Sequence, residues 1–124
     1  MGTFSVEIEI GDAAGRRYRR LEALVDTGAT YLVVPGDVLA ALGVQPTEQY
    51  PFELADGSVV EYAVGDVLLI LGGRTHSVLC VFGDANCEPL LGAVPLETFL
   101  LAPDPVHRRL VSVTGSLTKS TPHV

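Results

Sequence analysis

LEALVDTGAT, residues 21–30, is a mostly apolar segment that leads directly to the carboxylate of Asp26 and then to a glycine. A short apolar run of this kind predicts a buried strand. Gly28, two residues after the acid, allows the backbone to turn sharply and to approach a neighbouring group closely. We therefore expect Asp26 where a strand leaves the core. A carboxylate there is costly to bury unless it is hydrogen-bonded or shares a proton, and a strand-end Asp that caps its own turn is the ordinary alternative.

Length and composition favour one folded domain that does not bind nucleic acid. The chain has 124 residues, of which 48% are hydrophobic and 19% charged, so it can bury a core. Its net charge of −7 argues against nucleic acid as a partner. One basic cluster flanks Gly15 at a predicted turn, where a solvated strand end is favoured over an anion-binding patch: Arg16, Arg17, Arg19 and Arg20.

Cysteine usage and hydropathy predict a cytoplasmic protein without a membrane partner. Cys80 and Cys87 have no metal-ligand spacing and are too few for a disulfide framework. Residues 1–10 alternate apolar and polar side chains, which predicts a strand rather than a signal peptide. The longest apolar run, residues 67–71, is too short to cross a bilayer. We expect reduced thiols, no metal and no other cofactor.

The remaining pattern consists of short strands and two short helices. Strands are expected at residues 1–10, 17–25, 31–34, 52–55, 59–64, 67–71, 76–82 and 106–113, helices at 35–42 and 95–101, and loops at 45–51 and 83–89. Asp56-Gly57, between two of these strands, is the strongest hairpin signal. The pattern favours an all-β barrel or sandwich, with one domain over residues 1–114 and a polar tail over 115–124.

With these elements in order, the chain resembles the retropepsin-type aspartic proteases, the single-lobe family that includes the retroviral enzymes. The resemblance rests on residues 23–29 (ALVDTGA), on the Asp56-Gly57 hairpin where the family has its flap, and on Leu90-Leu91-Gly92 before a helix. It implies a closed, barrel-like all-β fold with one or two short helices. It also implies that Leu90, Leu91 and Gly92 are structural residues that thread behind the catalytic loop.

The resemblance implies an aspartic endopeptidase that works as a homodimer. Peptide hydrolysis without a metal or a covalent nucleophile needs an activated water and a proton donor, and two carboxylates about 3 Å apart supply both, as is established for aspartic proteases. The chain has one Asp-Thr-Gly, and Asp84 is followed by neither a hydroxyl nor a glycine. The second carboxylate is therefore expected from Asp26 of another copy, across an isologous interface.

The same resemblance assigns roles to the neighbours of Asp26. Thr27 would hydrogen-bond across the dimer, or bond its own backbone as turn threonines do, and Gly28 would lie close to the substrate. The residues expected to contact an extended peptide substrate are Ala29 and Thr30 in the loop, and Ala55, Asp56, Gly57, Ser58 and Val59 in the hairpin. Thr30 stands where the family often has an acidic or small hydroxyl residue, and it cannot form the ion pair that an acid could.

A second hypothesis is a catalytically silent retropepsin-like dimer that serves as a protein-interaction module, since fold does not imply activity. The intact Asp26-Thr27-Gly28 favours the enzyme, because a binding module gains nothing obvious from a buried pair of carboxylates. Four other residues are expected to serve packing rather than function: Tyr18, Tyr31, Tyr50 and Tyr62.

Overall fold

The computed structural model describes residues 3–117, which form nine strands and two short helices. The elements are β1 (Ser5–Gly11), β2 (Tyr18–Val25), β3 (Leu32–Pro35), α1 (Gly36–Ala41), β4 (Glu48–Glu53), β5 (Val59–Leu71), β6 (Arg74–Gly83), β7 (Leu90–Leu91), α2 (Ala93–Thr98), β8 (Leu101–Asp104) and β9 (Arg109–Ser112). The predicted all-β class with two short helices is confirmed.

Seven of the strands form one sheet that closes on itself. Their order is β1-β2-β7-β3-β6-β5-β4, and β1 also pairs with β5, through Glu9–Gly11 against residues 68–70. Six strands therefore form a ring, while β4 lies outside it as an edge strand. The closing pair is short and β7 has only two residues, so the ring is an irregular version of the predicted barrel. Strands β8 and β9 form a separate two-stranded sheet.

The core fills the ring with side chains from alternate strand positions. On β1, Ile8 and Ile10 are buried while Ser5 is exposed, as the period of two predicts. The two helices close the ends of the core with Leu39 from α1 and with Leu96 from α2. β2 pairs with β1 along one edge and, at its last two residues, with β7 along the other edge.

Two boundaries differ from the sequence-based prediction around Gly65. Residues 59–71 form one continuous strand, so the expected break between 64 and 67 is wrong. A Cβ on Gly65 would lie 2.6 Å from the carbonyl oxygen of Gln45, so this glycine permits a close crossing of chains rather than a turn. The prediction of a loop at 45–51 is partly wrong, because β4 begins at Glu48. β4 can contain Pro51 because it lies at the edge of the sheet.

Of the predicted last strand, residues 106–113, residues 109–112 form a strand, β9. This strand is the second arm of a hairpin with β8. The chain turns between Asp104 and Arg109, where the Asp104 carboxylate accepts hydrogen bonds from the backbone of Val106 and from the ring Nδ1 of His107 at 2.8 Å. The helix predicted at 95–101 spans Ala93–Thr98. Most of the predicted tail, residues 118–124, lies outside the described residues, as do Met1 and Gly2.

No helix within residues 3–117 is long and apolar enough to cross a membrane.

Candidate active site

Asp26 begins a tight loop immediately after β2. The backbone N–H of Gly28 donates to Asp26 Oδ1 at 3.0 Å, and the N–H of Ala29 donates to the Asp26 carbonyl oxygen at 3.1 Å. A Cβ on Gly28 would lie 3.2 Å from Asp26 Oδ1, a tight contact. The glycine therefore serves the close approach of the carboxylate to the backbone, and one carboxylate oxygen is held by a backbone donor.

Residues 90–92 lie directly behind this loop. β7 pairs in parallel with the end of β2, Leu90 with Leu24 and Leu91 with Val25, and the N–H of Asp26 donates to the Leu91 carbonyl oxygen at 3.0 Å. A Cβ on Gly92 would lie 2.5 Å from the carbonyl oxygen of Tyr31, where no Cβ fits. Only glycine allows the two chain segments to pack at this distance.

The far side of the loop is fixed by the start of α2. The N–H of Ala93 donates to the Ala29 carbonyl oxygen at 2.9 Å, and the N–H of Val94 donates to the Thr30 carbonyl oxygen at 2.8 Å. Both ends of the loop are thus hydrogen-bonded to the same segment of chain. The backbone from Asp26 to Thr30 has little freedom to move without breaking these bonds.

The side chains of the loop face outward in the single chain. Asp26 is half-buried, whereas Thr27, Gly28 and Thr30 are exposed. Asp26 borders a cavity of about 230 Å³ with Val25, Thr27, Phe4, Thr3 and two prolines of the β8–β9 hairpin, Pro103 in β8 and Pro105 in the turn. Asp26 is the one carboxylate among the described residues that line this cavity.

A larger cavity, of about 320 Å³, opens on the other side of the loop. Residues Gly28–Tyr31 form one wall, and Phe52 and Leu54 form another. Three aromatic rings contact one another along it, with ring centroids 6.2 Å apart between Tyr31 and Phe52 and between Phe52 and Tyr62. We call this cavity, with its loop wall and its aromatic wall, the cleft.

The Asp56-Gly57 hairpin forms as predicted and lies at the rim of the cleft. The turn is closed by the Leu54 N–H, which donates to the Ser58 carbonyl oxygen at 2.8 Å, and Gly57 adopts a φ of +86°. The hydroxyl and N–H of Ser58 both donate to Asp56 Oδ1, and these bonds, the hydroxyl first, hold the pKa of Asp56 below its usual range.

The structure divides the predicted substrate-binding residues into two groups. Ala29 and Thr30 line the cleft, whereas Ala55, Asp56, Gly57, Ser58 and Val59 are exposed at the hairpin tip and do not line it. The part of the hairpin that reaches the cleft is the strand before the tip, residues 52–54. The substrate-contact role of the tip remains a prediction.

A polar pair that the sequence did not predict, with Asp84 exposed, also lines the cleft. The Tyr62 hydroxyl donates to Asp84 Oδ2 at 3.1 Å, and this carboxylate raises the pKa of the tyrosine. Cys87 also lines the cleft, and burial, followed by the charge of Asp84, raises the pKa of its thiol. Tyr31 and Tyr62, expected only to pack, are cleft residues. The available signal was that Asp84 directly follows an apolar strand, as Asp26 does.

Within residues 3–117, no three His, Cys, Asp or Glu side chains are grouped so that they could hold a metal ion.

The fold and the loop define a retropepsin-like chain, and comparison with known proteins gives the family. The family described as "Aspartyl protease" matches residues 6–94, which is more than half of the chain. The protein therefore belongs to this aspartyl protease family. No curated protein matches its sequence significantly.

Solved structures similar to this chain include viral and bacterial members of the same class. The EIAV protease complexed with the inhibitor HBY-793 has a TM-score of 0.57 at 20% identity, over 79% of this chain and 88% of that one. The simian foamy virus (mac) protease has a TM-score of 0.55 at 20% identity, over 81% and 99%. A retropepsin-like aspartic protease from Rickettsia conorii has a TM-score of 0.50 at 19% identity, over 83% and 88%. At these identities the likeness establishes the fold.

Proposed function

We propose that this protein is an aspartic endopeptidase that hydrolyses peptide bonds in extended protein segments. The proposal rests on the geometry of the Asp26 loop. The half-buried Asp26 carboxylate accepts a hydrogen bond from the Gly28 N–H, and the loop backbone is hydrogen-bonded to residues 91–94. Preorganised groups of this kind act without reorganising during the reaction. The family and the viral protease folds support the same chemistry.

The working unit in this proposal is a homodimer with the two Asp26 carboxylates on its two-fold axis. Asp26 supplies the one carboxylate among the described residues that line the cavity next to the loop. Exposed apolar side chains flank the β8–β9 sheet that borders this cavity, Leu100 at 44% and Val113 at 42% exposure. A second copy would cover these side chains and bring its own Asp26 opposite the first.

The reaction follows from the charge state of such a pair. Two carboxylates about 3 Å apart cannot both ionise, so the pair holds one proton. The charged carboxylate removes a proton from a water, whose oxygen attacks the peptide carbonyl carbon, while the protonated partner donates to the carbonyl oxygen. The C–N bond then breaks as the newly protonated carboxyl gives its proton to the leaving nitrogen and the other carboxylate takes a hydroxyl proton from the tetrahedral intermediate, which restores the one-proton pair. Activity is expected to fall as pH rises past the upper apparent pKa of the pair.

The cleft supports an extended peptide as the substrate. It runs between the Asp26 loop and the residues before the hairpin tip, and Leu54 contributes an exposed apolar side chain at its rim. An extended peptide in this position would lie between two backbone segments and could pair with either as an added strand. Closure of the hairpin over it would exclude water from the reacting bond.

The test of this proposal is Asp26→Asn, measured against Asp66→Asn as a matched control. Asp66 is an exposed acid on β5 that lines a different cavity, beside Asp12. We expect Asp26→Asn to lower the rate of cleavage of a denatured protein mixture by about 10³-fold or more, because no ionisable pair remains. The control should cleave like the parent. Thermal unfolding of Asp26→Asn should occur at the same temperature or higher, since neutral amides avoid the cost of two adjacent carboxylates.

The competing hypothesis, a silent dimer that only binds proteins, predicts a different result. If the parent cleaves no extended substrate and binds no peptide-like aspartic-protease inhibitor, the interaction module replaces the enzyme. If Asp26→Asn cleaves as fast as the parent, the aspartic mechanism is wrong.

A further inference from the structure

The cleft contains acidic side chains and no basic ones, and these acidic side chains have no role in the proposed hydrolysis. Two carboxylates, those of Glu53 and Asp84, line it, and no Lys, Arg or His does. The ion pairs within residues 3–117 engage Glu7 and Asp104, so neither cleft carboxylate is paired with a cationic side chain there. Cys87 adds no charge, because its raised pKa keeps the thiol protonated. The cleft is therefore negative at neutral pH.

One of these carboxylates, that of the exposed Asp84, is oriented by a hydrogen bond from a neighbouring side chain. The Tyr62 hydroxyl donates to Asp84 Oδ2 at 3.1 Å, which leaves Asp84 Oδ1 free to accept a further hydrogen bond. Glu53 lies at the rim, at the end of β4. A carboxylate held in place loses less entropy on pairing with a ligand than a mobile one, and this difference makes Asp84 the stronger of the two partners.

The aromatic wall complements a cation with a long apolar stem. The rings of Tyr31, Phe52 and Tyr62 contact one another in series and leave faces and edges along the cavity. Aromatic faces attract guanidinium and ammonium groups, and the aliphatic stems of Arg and Lys pack against such surfaces. A volume of about 320 Å³ is at the lower end for ligand sites, which suits a substrate side chain and its backbone.

We propose that the cleft is a specificity subsite that receives an arginine or lysine side chain of the peptide substrate, with Asp84 as its charge partner and the aromatic wall against its stem. This inference rests on the proposed function, because the subsite lies beside Ala29 and Thr30 of the candidate catalytic loop. The net charge of −7 also favours basic substrates, because it attracts positively charged segments toward the protein.

The first experiment is a cleavage profile of a proteome-derived peptide library that retains internal Arg and Lys. The expected result is enrichment of these two residues at one position on one side of the scissile bond. Cleavage without such enrichment, or with enrichment of apolar residues at every selective position, would overturn the subsite and leave the proposed peptidase standing.

The second experiment uses the best-cleaved sequence as a pair of peptides that carry arginine or its neutral isostere citrulline at that position. The parent should cleave the arginine peptide with a kcat/KM about fivefold higher, as expected for one charge-assisted contact at a partly exposed site. This ratio should fall to near one in Asp84→Asn and stay near five in Asp66→Asn. Tyr62→Phe, which releases the positioned carboxylate, should give an intermediate ratio. An unchanged ratio in Asp84→Asn would contradict the inference.

A binding measurement keeps the inference testable even if no peptide is cleaved. Two fluorescent heptapeptide pools, identical except for arginine or citrulline at one fixed position, are titrated with Asp26→Asn protein and followed by anisotropy. We expect the arginine pool to bind about fivefold more tightly, and the difference to vanish in the Asp26→Asn, Asp84→Asn double variant. Equal Kd values for the two pools would overturn the subsite, whereas absent cleavage by the parent would overturn only the peptidase.

Discussion

The Asp26 loop and the Asp56-Gly57 hairpin face the same cleft but are held in different ways. The loop is hydrogen-bonded to β7 and to the start of α2, and Gly92 packs against its backbone with no room for a side chain. Within residues 3–117, the hydrogen bonds of the hairpin tip join Leu54, Asp56, Gly57 and Ser58 to one another, and the tip follows the edge strand β4. Asp26, the proposed catalytic residue, is thus held in place by its own chain. The hairpin proposed to cover the cleft would gain further contacts from a substrate or from a second copy.

A methyl group added behind the loop should have the largest effect. Gly92→Ala would place a Cβ 2.5 Å from the Tyr31 carbonyl oxygen and 2.6 Å from that of Ala29, so the backbone of the loop must move. We expect a loss of about 3 kcal/mol in the free energy of unfolding, measured by urea denaturation. A displacement of Asp26 by about 1 Å should lower kcat about 10²-fold at a temperature where the variant is folded. An unchanged stability would show that the loop is not held as described.

The same substitution at the hairpin tip should cost much less. A Cβ on Gly57 meets nothing within 4 Å, but its φ of +86° is unfavourable for alanine. Gly57→Ala should therefore lower the free energy of unfolding by about 1 kcal/mol, which corresponds to about 4 °C in Tm for a domain of this size. The measurement is a thermal scan beside Gly92→Ala. A loss as large as that of Gly92→Ala would mean that the tip is packed against the body of the protein.

The smallest effect is expected from the hydrogen bond inside the tip. Ser58→Ala removes the hydroxyl that is the main cause of the lowered pKa of Asp56, so this pKa should rise toward its ordinary value. A carboxyl whose pKa is lower in the folded state stabilises the fold above its unfolded pKa of about 4, and this stabilisation is lost as pH falls through the folded value. In Ser58→Ala, the stability that this turn contributes should therefore depend less on pH below about 4 than in the parent. An NMR titration of the Asp56 side chain in both proteins measures the shift, and identical curves would contradict the assigned cause.

The sequence predicts well those parts of the site that depend on neighbours along the chain. The alternation of Ile8 and Ile10, the position of Asp26 after β2 and the Asp56-Gly57 turn are set by local periodicity and turn chemistry, and all three are observed. The structure also places residues 90–92 behind the loop, as the family resemblance implies.

Features that depend on contacts between distant segments were not predictable in the same way. Gly65 resembles a strand break in the sequence, and only the crossing of residue 45 shows why it lies within β5. Tyr62 and Asp84 are 22 residues apart and meet because β5 and β6 pair in the register that sets Val64 opposite Val81. The register of β5 against β6 cannot be read from a local sequence pattern. The contact between Tyr62 and Asp84 therefore could not be predicted from the sequence.

In the proposed dimer, two copies of the chain complete one site with two Asp26 carboxylates. The most direct measurement is the distance between these carboxylates in a crystal structure of the protein with a peptide-like aspartic-protease inhibitor. We expect a two-fold symmetric dimer in which the nearest carboxylate oxygens lie about 3 Å apart beneath one inhibitor. A monomer with bound inhibitor, or a dimer that holds the two Asp26 carboxylates far apart, would contradict it.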